Sequence, residues 1–430
     1  MTTTRTTSLL ALGLVAALAA AGCSSGSDSS GTSSQPSGTS APPAASAGSA
    51  STSDASSAPA SGDPIRLGFM DPNSGAVANP GVAPAAQAVL EFVNSTSGGV
   101  NGRPIEYVTC DSDGTPEKNV ACANDFVEKK VVAVIDADNP GTGAALPILH
   151  DAGIPVVGDN PQYNEGNADL KTFYIGPPGQ VFILGAFQSF KDQGYTSLSL
   201  MNADTPTGHQ FNDALFAPTA ASLGLKYTPV YYDASKPDFG IIAAGLAATG
   251  SEVTGTAGGP EGQCAQLITS LRETGYTGKI LAGACTGFRS SVSAADAAGV
   301  QIYTDKWLPA SRAYAPDDVK AQLDQFTEAM TAAGHGDVQG YYSVATFSVV
   351  ATVADVLRSI SGPIDAAAVT TAMQGWNDKP SFLGPTISCD HSKYPKTSAC
   401  TNEVMIVETQ PDGSFKPVGG GFITVAPPSS

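Results

Sequence analysis

Basic residues are scarce in this 430-residue chain, whose 21 Lys and Arg stand against 39 Asp and Glu and leave a net charge of −18 at pH 7. The few basic residues form no cluster, whereas a surface that binds nucleic acid needs clustered Lys and Arg to meet the phosphates. The sequence therefore argues against nucleic acid as a partner. The acidic balance chiefly favours solubility.

Histidine is rarer still, with four in the chain. There is no HExxH and no GxSxG motif, so the zinc protease and α/β-hydrolase classes lack their required residues. No GxGxxG segment follows a predicted strand, and His209, beside a predicted loop, is more often structural in such a setting. We expect a protein that is not an enzyme and uses no cofactor or metal, with an exported hydrolase as the weaker alternative.

Long apolar runs are also missing, apart from one of about 13 residues between Leu9 and Ala21, which is too short to span a bilayer but typical of a signal peptide. The run ends at Ala-Ala-Gly-Cys, which resembles a bacterial lipobox. We predict a signal peptide over 1–22 and a lipid on Cys23, which would anchor the protein to the cell membrane on its extracytoplasmic side. The alternative is an ordinary secretory signal that leaves Cys23 free.

Residues 24–62 contain no Leu, Ile, Val or aromatic residue and consist almost wholly of Ser, Gly, Ala, Pro and Thr. Such a segment cannot bury enough apolar surface to offset the entropy of ordering. We predict that residues 23–62 form a disordered tether that begins at the lipidated cysteine. A chain of this composition has a root-mean-square reach of about 35 Å, which holds a folded body away from a membrane.

Six cysteines follow Cys23, and an even number in an exported chain favours disulfides. Fifteen pairings are possible, and neighbours on adjoining predicted elements favour one of them. A metal site is the alternative, but the chain has no CxxC pair with a histidine nearby. The predicted pairs are Cys110–Cys122, Cys264–Cys285 and Cys389–Cys400.

Strand-like segments alternate with Ala-rich helical segments along the remaining chain of about 370 residues, which is more than one core usually serves. The alternation restarts after Pro177-Pro178 and gives way to helices from Pro316. This pattern predicts α/β architecture with two doubly wound, Rossmann-like lobes, each a parallel sheet covered on both faces. The helices predicted by apolar spacing include 84–96, 213–223 and 264–274.

Several segments occur in an order that resembles one family: GGVNG, VVAVIDADNPGTG, GIPVVGDNP, YTSLSLMNADTPTG and FLGPTISCD. Over most of residues 63–425 the chain resembles the type I periplasmic binding proteins of ABC importers, in the leucine/isoleucine/valine-binding branch. The resemblance implies a monomer that closes on a small ligand through a three-crossing hinge and delivers it to an importer permease. It also implies lobes formed by residues 63–180 with 311–400 and by residues 181–310 with 401–430.

The resemblance also places the ligand at the carboxyl ends of the strands, where relatives bind through hydroxyls, amides and backbone groups. The implied ligand-binding residues are Asn139, Gly141, Thr142, Asn160, Gln162, Asp204, Thr207, Glu261 and Tyr341. Other roles stay open at this point: the two asparagines could cap helices, Tyr341 could belong to the core, and Asp138 and Asp204 could be solvated loop acids.

The chain departs from amino-acid-binding relatives at three positions. Those relatives usually carry an aromatic residue at Thr207, another near Gly259, and an acid near Cys285 that holds the ammonium group. None of the three is present here, so we expect a polar ligand held by neutral hydrogen bonds, with Asp159 or Asp204 as partners for a cation. A ligand-sensing surface lipoprotein on the same fold is the alternative function.

Overall fold

The computed structural model describes residues 59–75, 78–161, 171–391 and 397–425. The predicted signal peptide, the lipidation site Cys23 and most of the tether lie outside these residues, as does Gln162. Within the described part of the chain, every helix is too short or too polar to cross a membrane.

Fifteen strands are present among the described residues. They are β1 (Ile65–Asp71), β2 (Ile105–Asp111), β3 (Ala133–Asp136), β4 (Val156–Gly158), β5 (Thr172–Tyr174), β6 (Ser197–Ala203), β7 (Lys226–Tyr232), β8 (Val253–Thr256), β9 (Lys279–Ala282), β10 (Val300–Thr304), β11 (Asn377–Pro380), β12 (Thr386–Ser388), β13 (Glu403–Thr409), β14 (Phe415–Pro417) and β15 (Ile423–Thr424).

Twelve α-helices accompany the strands in the same part of the chain. They are α1 (Val82–Glu91), α2 (Pro116–Glu128), α3 (Thr142–Asp151), α4 (Gly179–Asp192), α5 (Pro206–Phe211), α6 (Ala217–Ser222), α7 (Phe239–Ala248), α8 (Glu261–Glu273), α9 (Ala294–Ala297), α10 (Asp317–Ala332), α11 (Tyr341–Arg358) and α12 (Ala366–Gln374). Two π-helical turns (Phe92–Thr96 and Asn212–Phe216) and two 3₁₀ turns (Gly287–Ser290 and Pro309–Tyr314) complete the helical segments.

The first sheet is parallel, with strand order β2-β1-β3-β4-β5. Its inner strand β1 is apolar on both faces, as a strand covered on both sides must be. Leu67 and Phe69 share an apolar cluster with α1 and α11. On the other face Gly68 lies under the Phe126 ring of α2, where an added Cβ would be only 3.0 Å from the ring. Helices therefore cover both faces.

The second sheet has the order β14-β13-β10-β9-β8-β6-β7, and β15 pairs with β13. Strands β6 to β10 are parallel, whereas β13 and β14 run antiparallel at one side. Helix α4 covers one face, where Phe187 packs in a cluster with Leu200. Helices α7 and α8 cover the other, where Leu246 and Leu271 are fully buried.

The chain passes between the two sheets three times: after β5, after β10 and before β13. This connectivity confirms the predicted fold class of two doubly wound lobes joined by a three-crossing hinge. At the third crossing Ala399 bridges to Tyr174 in parallel, so two of the crossings lie side by side. The predicted lobe boundaries near residues 180, 310 and 400 stay predictions.

Some predicted elements are placed differently in the structure. The helix predicted over 84–96 is α1 followed by a π-helical turn. The helix predicted from residue 213 begins at Pro206, because Thr205 Oγ1 accepts a hydrogen bond from Gly208 N at 3.1 Å and Pro206 occupies the first turn. The helix predicted from residue 264 begins at Glu261. Strands β5 and β10 were not predicted.

Three disulfides join the predicted cysteine pairs. One ties β2 to α2, one ties α8 to the segment after β9, and the third joins the end of β12 to the third crossing. Each closes a short loop between neighbouring elements, and a disulfide of this kind contributes about 2–4 kcal/mol by restricting the unfolded chain.

Candidate functional site

The carboxyl edge of the first sheet carries an aspartate at four neighbouring strands. Asp111, Asp71 and Asp136 are the last residues of β2, β1 and β3, and Asp159 directly follows β4. The register aligns Asp71 with Asp111, and burial together with the Asp111 charge raises the pKa of Asp71 to about 6. At the exposed end of this row the hydrogen bond from Ser74 lowers the pKa of Asp111, so the carboxylates whose ionisation is disfavoured are the buried ones.

Asp136 organises the loop after β3. Its carboxylate accepts hydrogen bonds from the Tyr174 hydroxyl at 2.7 Å and from Asn139 N at 3.1 Å. Burial raises the pKa of Asp136 to about 6 although these two hydrogen bonds oppose the change. The loop after β3 is thus tied to β5, the strand that leads into the first crossing.

Asn139, Gly141 and Thr142 lie together in this loop and form hydrogen bonds to other groups of the protein. The Asn139 side chain is fully buried and donates to Asn119 Oδ1 at 2.5 Å, while its Oδ1 accepts from Ser112 Oγ at 3.0 Å. Thr142 Oγ1 donates to Asn139 O at 2.9 Å. These contacts hold the start of α3 in place, and a ligand contact by any of the three residues stays a prediction.

A fully buried lysine, Lys306, lies just after β10 at the second crossing. Its Nζ is 2.5 Å from Asp159 Oδ1 and 2.5 Å from Asp305 Oδ2. Burial alone would lower the pKa of Lys306, but the two carboxylates raise it above its usual value, so the ammonium group stays charged. The contact between Lys306 and Asp159 joins the second crossing to the end of β4.

Asn160 and Tyr341, both predicted from the sequence, meet beside this lysine. The Tyr341 hydroxyl lies 3.0 Å from Asp159 Oδ2 and 2.8 Å from Asp305 Oδ1, and it accepts a hydrogen bond from Asn160 Nδ2 at 3.1 Å. Burial and then Asp305 raise the pKa of Asp159 to about 6, although Lys306 opposes the change. We call Asp159, Asn160, Asp305, Lys306 and Tyr341 the hinge cluster.

Glu261 begins α8, beside the second sheet, and its carboxylate is engaged by backbone donors. Oε1 accepts from Thr286 N at 2.8 Å and Oε2 from Gly287 N at 2.9 Å, which places Glu261 at the open start of a 3₁₀ turn. The Thr286 hydroxyl lies 3.3 Å from Glu261 Oε1 and accepts from Tyr341 N at 3.2 Å. This hydrogen bond connects the second-sheet side to the first residue of α11.

Asp204 and Thr207 lie elsewhere on the second-sheet side. Both are exposed, and Asp204 Oδ1 is 2.9 Å from Nε2 of His209, whose ring stacks on Tyr231 at a centroid distance of 4.1 Å. In the described part of the chain neither residue contacts the hinge cluster. The structure therefore brings Asn160 next to Tyr341, and Thr286 links Tyr341 to Glu261. Asp204 and Thr207 lie apart from this group.

A cavity lies between the ends of β3 and β4 and the start of α11. Asp138 and Tyr342 belong to its wall, and neither was predicted as a ligand residue. Burial, followed by the charges of Asp138 and Glu261, raises the pKa of Tyr342. The charges of one acid beside the first sheet and one beside the second sheet therefore both act on this phenol. The lining residues are Ile135, Asp136, Ala137, Asp138, Asp159, Asn160, Tyr341, Tyr342, Ala345, Thr346 and Val349.

The described residues contain no group of three or more His, Cys, Asp or Glu side chains arranged to hold a metal ion. The acids of the hinge cluster already face an ammonium group. The polar groups of the cavity wall are therefore carboxylates, an amide, a threonine hydroxyl and phenols, set among apolar side chains.

Residues 64–408 match the sequence model of a family described as periplasmic binding protein. No curated protein sequence matches the chain. Among solved structures, an ABC transporter substrate-binding protein from Aeropyrum pernix has a TM-score of 0.67 at 16% identity, over 85% of this chain and 97% of that one.

Two further structures are similar over nearly their whole length. The branched-chain amino acid transporter substrate-binding protein LivJ from Streptococcus pneumoniae, in complex with isoleucine, has a TM-score of 0.65 at 16% identity, over 83% of this chain and 99% of that one. A fatty acid ABC transporter substrate-binding protein from Thermomonospora curvata has a TM-score of 0.62 at 17% identity, with 87% and 95% covered. At these identities the likeness establishes the fold.

Proposed function

Because the chain belongs to the periplasmic binding protein family, we propose that it is the extracytoplasmic solute-binding component of an ABC importer. In this proposal a small polar ligand is captured between the two lobes and handed to the importer permease, and the protein acts as a monomer. The observation that carries the proposal is the cavity at the carboxyl edge of the first sheet, next to the hinge cluster and to the contact between Tyr341 and Thr286.

Closure of the lobes is the expected response to the ligand. The cavity wall includes Asn160 and the start of α11, and on the second-sheet side Tyr341 N donates a hydrogen bond to Thr286 Oγ1 while the Tyr341 hydroxyl lies 2.8 Å from Asp305 Oδ1. A ligand that touches both sides stabilises the closed arrangement by its additional contacts there. The predicted lobes, 63–180 with 311–400 and 181–310 with 401–430, are the bodies that move.

Asn160→Ala tests the position of the site. A thermal-shift screen of amino acids, amides, amines and small sugars first identifies a solute that stabilises the protein, since stabilisation grows with ligand concentration over Kd. Asn160→Ala is then expected to weaken binding of that solute at least about tenfold, which corresponds to about 1.4 kcal/mol. Calorimetric titration measures the affinity, and X-ray scattering measures compaction on binding.

Asn124→Ala is the matched control. Asn124 lies on α2, where its amide donates to Val120 O at 2.8 Å in an exposed setting, so its loss leaves the cavity untouched. Unchanged affinity in Asn160→Ala would show that the site is misplaced. If no solute causes compaction of the wild-type protein, the transport proposal itself fails.

We further propose that a lipid on Cys23 anchors the protein to the outer face of the cell membrane. The support is the sequence around Cys23, because the extracytoplasmic family fits an exported chain but does not require a lipid. Metabolic labelling with a fatty acid is expected to mark the wild-type protein and not Cys23→Ser, which should appear in the culture medium. Unlabelled wild-type protein would refute the anchor.

A further inference from the structure

We infer that the turn over residues 283–287 is a latch: the Thr286 hydroxyl caps α11 from the second-sheet side and favours the closed arrangement of the lobes before any ligand is bound. Glu261 and the disulfide Cys264–Cys285 hold this turn in place. The latch rests on the proposed function, because it acts on the movement of the same two lobes. It adds to that function a conformational device that works in the ligand-free protein.

Helix α11 takes the cap for its first residue from a distant part of the chain. Gly340 precedes the helix and has no side chain that could cap it, and the first N–H groups of a helix find no partner within the helix. Tyr341 N, at the first helical position, donates to Thr286 Oγ1 at 3.2 Å. Thr286 follows β9 of the second sheet and is 55 positions away in sequence. Its hydroxyl therefore does for α11 what an N-cap side chain usually does for its own helix.

This hydrogen bond joins elements that pack on different sheets. Helix α11 packs against α1 and β4 beside the first sheet, whereas the 3₁₀ turn that follows Thr286 packs against α8 beside the second. Thr286 is 5% exposed, and a Cβ added at Gly340 would lie 3.3 Å from its hydroxyl oxygen, so little room is left for water. Water can replace the hydroxyl at Tyr341 N only when the lobes part.

Two links fix the turn to α8. Glu261 Oε1 accepts a hydrogen bond from Thr286 N at 2.8 Å, and Oε2 accepts one from Gly287 N at 2.9 Å. The disulfide joins Cys264, in the first turn of α8, to Cys285, the residue before Thr286. Because the turn is held on both sides of its hydroxyl, it cannot follow α11 when the lobes separate. Opening therefore breaks the contact instead of stretching it.

The strength of the latch follows from its chemistry. One neutral hydrogen bond changes an equilibrium constant by a factor of about 2 to 12 at 25 °C. Since the latch forms only in the closed arrangement, its loss is expected to lower the ratio of closed to open molecules by this factor. The affinity for a ligand that closes the lobes then falls by at most the same factor.

Thr286→Val tests the latch in the full-length protein without any solute, because valine keeps the shape of threonine and lacks the hydroxyl. Amide hydrogen exchange at the start of α11 is expected to be at least about threefold faster than in the wild type. X-ray scattering is expected to give a larger average radius of gyration. Thr286→Ser, which keeps the hydroxyl, should match the wild type in both measurements. The latch is refuted if Thr286→Val matches the wild type in either one.

The double variant Cys264→Ala/Cys285→Ala tests the anchoring of the turn. It is expected to speed hydrogen exchange at the start of α11 as Thr286→Val does. Cys110→Ala/Cys122→Ala is the matched control, since its disulfide ties α2 to β2, the outer strand of the first sheet. That variant should melt at a lower temperature and keep the wild-type exchange at the start of α11. Equal exchange there in the two double variants would overturn the anchoring role.

Glu261→Gln loosens the other link and takes the place of the first double variant if that one does not fold, with the same result expected at the start of α11. The latch and the proposed function can fail separately. A solute that compacts the wild type while Thr286→Val exchanges like the wild type leaves the transport proposal standing and removes the latch. Faster exchange and a larger radius in Thr286→Val, with no solute that compacts the wild type, would keep the latch and remove the transport proposal.

Discussion

Lys306→Met tests whether the hinge cluster holds the chain at the second crossing. The side chain of Lys306 is 0% exposed, and its Nζ lies 2.5 Å from one oxygen of Asp159 and of Asp305. At an effective dielectric constant of about 20, each contact is worth roughly 6–7 kcal/mol of Coulomb attraction. Desolvation of the three ions offsets most of this gain.

The net loss expected on removing the lysine is about 3–5 kcal/mol, because two carboxylates remain buried without a cation. Methionine has nearly the volume of lysine, so little of the loss comes from packing. For a folded body of about 370 residues, unfolding entropy near 2.1 cal/mol/K per residue converts this loss into a fall in Tm of about 4–6 °C. Scanning calorimetry at pH 8 measures it.

The pH dependence separates a charge effect from a packing effect. In Lys306→Met the pKa of Asp159, already raised to about 6 by burial and by Asp305, rises further. Its folded pKa, already above its unfolded pKa in the wild type, lies further above it in the variant, so a fall in pH stabilises the variant more than it stabilises the wild type. The deficit in Tm should therefore be largest at pH 8 and smaller at pH 5.

Lys320→Met supplies the same substitution at an exposed pair, where Nζ lies 3.0 Å from an oxygen of Asp317 whose side chain is 98% exposed. Its cost should stay below about 1 kcal/mol. If Lys306→Met melts within about a degree of the wild type, or if its deficit is the same at pH 5 and pH 8, the buried charges do not hold the hinge.

Two further changes probe the first sheet and its loops. Asp71→Asn should stabilise the protein by about 1–2 kcal/mol at pH 7.5 and leave its stability unchanged near pH 4, because burial and then Asp111 raise the pKa of Asp71 to about 6. Urea unfolding at both pH values measures this difference. A variant as stable as the wild type at pH 7.5 would contradict the prediction. Gly141→Ala should lower stability by about 1–3 kcal/mol, since an added Cβ would lie 2.1 Å from Asn119 Nδ2. The control is Gly179→Ala, where the added atom meets nothing within 4 Å. Calorimetry compares the two variants, and equal melting temperatures would refute the steric reasoning.

Local features of the fold were predictable because they depend on residues close in sequence. The three disulfides join cysteines 11 to 21 positions apart on consecutive elements. Strand β10 was not predicted because it contains buried polar side chains. Gln301 is fully buried, and its amide forms hydrogen bonds with Gln193 and Glu408. A hydrophobicity pattern cannot recognise a strand whose buried polar groups find partners in distant elements.

The candidate site likewise contains residues that the sequence predicted and residues that it did not. Asn160 and Tyr341 were predicted, and they do meet, 181 positions apart in sequence. Lys306 was not predicted, because a lysine in a loop reads as a surface residue and its partner Asp159 lies 147 positions away. The role of Asp138 was left open between a solvated loop acid and a ligand contact, and the structure places it half-buried in the cavity wall.

The hinge cluster and the Thr286–Tyr341 contact differ in strength, and this difference suggests how the lobes open. Separating Lys306 from Asp159 would leave buried charges unpaired at a cost of several kcal/mol, whereas the hydrogen bond from Tyr341 N to Thr286 Oγ1 is a single neutral contact worth about 0.5–1.5 kcal/mol. Opening that breaks the weaker contact and keeps the stronger one pivots about Lys306. A ligand of the proposed kind, bound to groups of both lobes, would favour the closed arrangement by the difference between its affinities for the closed and the open arrangement.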